Sequence, residues 1–166
     1  FLVPGGSKYV IVGALPNAVT KPGRARIVES ITGVEAEQTV LSVAFQFKAG
    51  WAYAVRLRGQ VYGTAGVQAH FRLRKGSPAG ADWGEYGRVP ITGPNPGQSN
   101  IASGEVVLLR TASTDLTATI ALTLARNGGA AGNTVNFLAT AASPAYIMVV
   151  PIGPAVMYQG FGVEVS

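Results

Sequence analysis

The residues able to do acid–base or metal chemistry are few and poorly placed for it. The single histidine, His70, has Gln68 and Arg72 as its same-face neighbours. Neither supplies a metal ligand or a proton partner, so a solvated histidine is expected there. No cysteine occurs, which excludes disulfides and thiolate metal sites. Asp82 and Glu85 form a carboxylate pair of the kind used in glycoside cleavage. Trp83, Tyr86 and Arg88 lie among them, which suits contact with a sugar better than its hydrolysis. Gly128-Gly129-Ala130-Ala131-Gly132 is rich in glycine, but a phosphate cradle needs a helix N-terminus behind the glycines. Asn133-Thr134-Val135-Asn136-Phe137 reads as strand, so the glycines form a hairpin loop. No nucleophile elbow, calcium loop or zinc spacing is present. The expectation is a non-enzyme with no catalytic residue, cofactor or metal.

The elements that position these side chains are strands. Thr39 to Phe47 sets Leu41, Val43, Phe45 and Phe47 against Ser42, Ala44 and Gln46. Trp51 to Val61 sets Trp51, Tyr53, Val55, Leu57 and Val61 against Arg56, Arg58 and Gln60. Val67, Ala69, Phe71 and Leu73 oppose Gln68, His70 and Arg72, and Leu116, Ile120, Leu122 and Leu124 oppose Thr117, Thr119 and Thr123. A period of two marks half-buried strands. The sandwich is expected to begin near Arg26-Ile27-Val28, with strands at 39–48, 51–62, 67–75, 105–111, 115–126, 133–140, 144–152 and 156–165. Eight or nine strands at such spacing make an all-β antiparallel sandwich or barrel.

The apolar positions of 51–61 and 67–73 are all odd-numbered, which constrains their connection. A hairpin keeps these faces together only through a three-residue loop, Gly63-Thr64-Ala65, with Gly66 as a bulge. Otherwise the two strands belong to different sheets, as a jelly roll requires. Both arrangements keep Arg56, Arg58, Arg72 and Arg74 out of the core. The stretch 76–104 reads as a long irregular loop. Asp82, Trp83, Glu85, Tyr86 and Arg88 would then form an exposed recognition surface.

Residues 1–24 differ in character. Val3-Pro4-Gly5-Gly6, Leu15-Pro16-Asn17 and Lys21-Pro22-Gly23 punctuate an apolar run, Tyr9-Val10-Ile11-Val12. Such punctuation limits regular structure. The segment reads as an extended arm docking through Phe1, Leu2, Val3, Tyr9, Val10, Ile11 and Val12, or as an ordinary first strand. The domain proper would be 25–166. The opening residues lack the charged and long apolar regions of a secretory signal. The chain begins without Met, so a start upstream or removed by processing is expected.

Composition points to assembly. Charged residues are 13% of 166, against about 25% in a typical domain, and mean hydropathy is positive. A chain of this length buries about 70% of its unfolded surface in one core. Gly and Pro together number 32, as suits many turns. No apolar run is long enough for a membrane-spanning helix, and no membrane partner is expected. The net charge of +5 hints at an anionic partner, with ten of thirteen basic residues before position 76. Nucleic acid is set aside because stacking aromatics must share the arginines' face. Trp51, Tyr53 and Phe71 have the opposite parity.

The order of elements carries a resemblance. Ala25-Arg26-Ile27-Val28, Ala36-Glu37-Gln38-Thr39 and Lys48-Ala49-Gly50-Trp51-Ala52-Tyr53-Ala54-Val55-Arg56 lead, followed by Glu105-Val106-Val107-Leu108-Leu109 and Leu116 through Arg126. Thr134-Val135-Asn136-Phe137 comes next, and Ala142-Ser143-Pro144-Ala145-Tyr146 with Ile147-Met148-Val149-Val150-Pro151-Ile152-Gly153-Pro154 closes the pattern. Over about 25–154 the chain resembles the small β-sandwich virion proteins of tailed phages infecting actinobacteria, of the minor tail or head-decoration type. It departs from that pattern at Val150-Pro151, where an acidic residue is usual before Ile-Gly.

The resemblance implies an antiparallel jelly-roll-like β-sandwich, similar to tumour-necrosis-factor-type modules and often trimeric. It implies a non-enzymatic capsid decoration (cement) protein on the particle exterior. The expected partners are further copies in a homotrimer and the major capsid protein or other virion proteins. A minor tail or tail-tip protein is the alternative, and a surface module binding host glycan is another.

Overall fold

The computed structural model describes residues 22–166, together with the backbone of Leu2–Gly5 (β1) and Lys8–Ile11 (β2), which pair antiparallel with each other. Of the expected docking residues, Phe1 and Val12 lie outside the described residues. From residue 22 onward the strands are β3 (Gly23–Ile27), β4 (Ile31–Val34), β5 (Gln38–Phe47), β6 (Trp51–Gly63), β7 (Gln68–Lys75), β8 (Asp82–Pro90), β9 (Asn100–Arg110), β10 (Leu116–Asn127), β11 (Val135–Leu138), β12 (Ala145–Pro154) and β13 (Val163–Glu164).

They build two facing sheets. One has the order β5-β10-β7-β8. The other is centred on β6, which is long enough to have two partners in succession on one side. Along its other side β6 pairs with β9 from Trp51 to Val61. Its first part pairs with β12, which carries β3, and its last residues pair with β11, which carries β4. The short β13 lies parallel to β9. The fold is the expected all-β, jelly-roll-like sandwich.

Strands β6 and β7 fall in different sheets, so the second of the two connections allowed by parity is the one formed. Their odd-numbered residues face each other across the interior: Tyr53, Val55, Leu57 and Val61 from one side, Ala69, Phe71 and Leu73 from the other, all buried. Phe45, Phe47, Tyr53 and Trp83 meet edge to face, with ring centroids 5.1–5.8 Å apart. That arrangement suits the aromatic quadrupole and adds to the roughly 1.5–3 kcal/mol gained by burying each large side chain. Gly59 makes room for the Phe137 ring, whose Cε2 would lie 2.3 Å from an added Cβ.

Two expectations fail, each for a local reason. The C-terminal stretch 156–165 is not one strand. A 3-10 turn over Ala155–Tyr158 folds across the outside of β6 and β9, burying Ala52, Leu109 and Ala155, before the two-residue β13. The 76–104 stretch is not an irregular loop. It contains the nine-residue edge strand β8 and the beginning of β9. Strand β8 was hidden by two bulges. Opposite Phe71 and Arg72 stand Gly87 and Glu85, leaving Tyr86 unpaired; opposite Leu73 and Arg74 stand Gly84 and Asp82, leaving Trp83 unpaired. Each extra residue is turned inward, as bulges do, and is followed by a glycine at positive φ, 131° for Gly84 and 90° for Gly87. The inward residues therefore recur every three positions, and a search for period two passes over them.

Candidate docking surface

The bulges decide the fate of the expected recognition residues. Trp83 is 1% exposed and packs against Phe47 in the core. Tyr86 is half-buried, and its hydroxyl donates to the Val55 carbonyl at 2.9 Å. Burial pushes the Tyr86 phenol far above its usual range, with the Glu105 carboxylate adding to the shift. An exposed aromatic loop is thus corrected to an edge strand whose aromatics face inward. The exposed residues Asp82, Glu85 and Arg88 remain on the outside of β8.

These charges join a neutralised surface on the outer face of the β5-β10-β7-β8 sheet. Arg74 grips Glu37 with two bonds, Nε to Oε1 at 2.9 Å and Nη2 to Oε2 at 3.1 Å, and reaches Asp82 at 3.2 Å. Arg72 approaches the same carboxylate at 3.5 Å, and the Thr123 hydroxyl donates to it at 2.6 Å. The Arg74 hydrogen bonds hold the Glu37 carboxyl below its usual range, against the opposing effect of burial, with further help from Thr123. His70, expected in solvent, is 6% exposed, and its Nε2 lies 2.7 Å from Glu85 Oε1, outside hydrogen-bond alignment. The sequence could not show this, because its cover comes from β8.

The outer face of the β6-centred sheet is different. Register places Arg24, Met148, Arg56 and Glu105 in one row across β3, β12, β6 and β9, and Arg26, Tyr146, Arg58 and Ser103 in the next. Only Arg56 has a carboxylate partner, Glu105 at 2.8 Å. Arg24 lies over the Tyr146 ring, 5.1 Å from its centroid. Arg26 and Arg58 have no carboxylate among the described residues, and residues 1–21 contain neither Asp nor Glu. Arg56, Arg58, Gln60, Ile101, Tyr146 and Met148 line an open groove of about 490 Å³. Ile101 is 69% exposed, and beyond the Ala52 end the C-terminal turn presents Val156, Met157 and Phe161 to solvent.

Tyr146 therefore shares the arginines' face, so the parity ground for setting nucleic acid aside does not hold. Beside the arginines the surface nevertheless offers one ring, Tyr146, already covered by a guanidinium, with Tyr62 and Phe161 standing apart at the two ends of β6. Arg, Tyr, Met and Ile without Lys is the composition of a protein-binding patch rather than a stacking track. Among the described residues no three metal-binding side chains come together.

No protein-family model and no curated protein matches this chain. Solved structures do. The VP2 subviral particle of infectious bursal disease virus matches with a TM-score of 0.50 at 14% identity, over 92% of this chain and 38% of that one. The Gx strain of that virus matches at 0.50 and 13% identity, over 92% and 37%. An insecticidal delta-endotoxin, Cry8Ea1 from Bacillus thuringiensis, matches at 0.44 and 16% identity, over 75% and 20%. The chain spans a fifth to two fifths of the length of these proteins. The VP2 matches show a shared β-sandwich fold.

Proposed function

We propose that this protein is a non-enzymatic structural component of a virion, and specifically a decoration protein on the capsid exterior of a tailed phage infecting actinobacteria. The observation that carries the reading is the outer face of the β6-centred sheet, with its under-compensated arginines, exposed apolar residues and Tyr146. It has the make-up of a surface that a neighbouring protein covers. The sequence resemblance and a fold shared with particle-forming VP2 support the same reading. The residues ahead of β3 act as an arm, adding apolar contact and strand pairing on a neighbouring subunit without chemistry.

The test is co-sedimentation with capsids of the parent phage stripped of this protein, comparing the full chain, residues 23–166 and the double variant R26E/R58E. Saturable attachment of the full chain, reduced in both altered forms while their thermal unfolding stays cooperative, is the expected result. No attachment by the full chain overturns the decoration role. Undiminished attachment of residues 23–166 overturns the role of the arm.

A further inference from the structure

The two edges of the β5-β10-β7-β8 sheet are built in opposite ways. Edge strand β8 carries Asp82, Glu85 and Arg88, two glycines, two bulges and Pro90 at its end. Those are the devices that stop a sheet edge from recruiting another strand. Edge strand β5 has none of the chemical ones. Its ten residues, Gln38-Thr39-Val40-Leu41-Ser42-Val43-Ala44-Phe45-Gln46-Phe47, include no charge, no proline and no glycine. Its one irregularity lies near its start, at Val40, where the register with β10 shifts. From Leu41 to Phe47 the strand is regular, and among the described residues it pairs on one side only. The remaining outer strands of the other sheet are short: five residues in β3, four in β4 and two in β13.

Two further features lie along this edge. Of the inward residues Leu41, Val43, Phe45 and Phe47, only Val43 stays half-exposed. A groove of about 350 Å³ opens between β5 and β3, lined by Ala25, Ile27, Val40 and Leu41 together with Arg26, Thr39 and Ser42. Among the described residues the sandwich is thus open at the Thr39–Ser42 end of this edge, while Gly23 of β3 closes on the Phe45 ring further along it.

We propose that β5 pairs antiparallel with β5 of a second copy of this chain, about a two-fold axis at Val43, and joins the two four-stranded sheets into one. The strand is self-complementary in that register. Val43 meets the partner's Val43, Leu41 meets the partner's Phe45 and Ser42 meets the partner's Ala44, so inward residues stay inward and no like charges are opposed. The partner's strand brings its Ala44 to Phe47 alongside the open groove, and Val43 gains its missing cover. Such an isologous contact closes at two copies. The inference is independent of the virion reading.

The chain has no cysteine, so a single introduced one reports on this axis alone. Light scattering of the full chain should give twice the 17.1 kDa of one copy. Ala44→Lys, at an exposed outward position, sets charge along the joint. It should weaken dimerisation at least tenfold with near-ultraviolet circular dichroism unchanged. Val43→Cys should cross-link copies on mild oxidation, and Thr117→Cys on β10 should not. A monomer or a trimer as the limiting mass overturns the proposal. So does a dimer that survives Ala44→Lys and fails to cross-link through Val43→Cys. If Ala44→Lys misfolds, the cross-linking decides alone.

Discussion

The hydrogen bond from the Tyr86 hydroxyl to the Val55 carbonyl, 2.9 Å long, joins the two sheets. Tyr86 belongs to the edge strand β8 and Val55 to the central β6. A phenol at the rim of the sandwich thus ties a margin of one sheet to the middle of the other. Tyr86→Phe keeps the ring and removes the tie. The expected cost is about 1 kcal/mol, read from the denaturant midpoint at unchanged slope. Burial also keeps this phenol protonated, so an alkaline titration should show Tyr86 ionising only as the protein unfolds.

Trp83 tests whether the 76–104 stretch recognises ligands or holds the core together. Its side chain is 1% exposed, and removing a buried aromatic costs roughly 3–5 kcal/mol. Trp83→Ala should therefore lower the melting temperature sharply. A variant that kept wild-type stability would contradict the buried placement.

Glu37 makes stability depend on pH in a defined direction. Its folded pKa lies below the ordinary 4.5, chiefly through Arg74. The stability it contributes is therefore present above about 4.5 and is lost as pH falls through the folded value. Glu37→Gln should be less stable by about 1–3 kcal/mol at neutral pH and should lose less on acidification than the wild type. Asp115, held low by Lys48 and by the Ala49 amide, leaves some acid sensitivity in both. Urea midpoints across the acid range provide the comparison.

Gly59 is a point of close packing in β6. An added methyl meets the Phe137 ring at 2.3 Å and 2.7 Å, and overpacking of this kind costs roughly 1–3 kcal/mol. Gly59→Ala should destabilise by that amount. Pairing it with Phe137→Leu should recover part of the loss in a double-mutant cycle.

Much of the fold was legible because burial on one face writes a period of two into a strand. Leu41, Phe45 and Phe47, the odd residues of Trp51 to Val61, and the set Ala69, Phe71 and Leu73 were all placed inward on that basis. The shared odd parity of β6 and β7 even limited their connection to two choices. Strand β8 stayed hidden because its bulges at Trp83 and Tyr86 replace period two with period three. The repeated triplets Asp82-Trp83-Gly84 and Glu85-Tyr86-Gly87 were the signal available for it.

What the sequence determined by itself is a set of local choices: most of the strands, their turns and their inward faces. Only the tertiary structure decided which strands lie side by side. Register across β3, β12, β6 and β9 gathers Arg24, Arg26, Arg56, Arg58 and Tyr146 from three separate stretches of chain. It also sets the Arg74–Glu37 and His70–Glu85 contacts on the opposite sheet. Parity is a property of one strand, whereas a surface is a property of strand order. Strand order is set by long-range pairing, which no local period records.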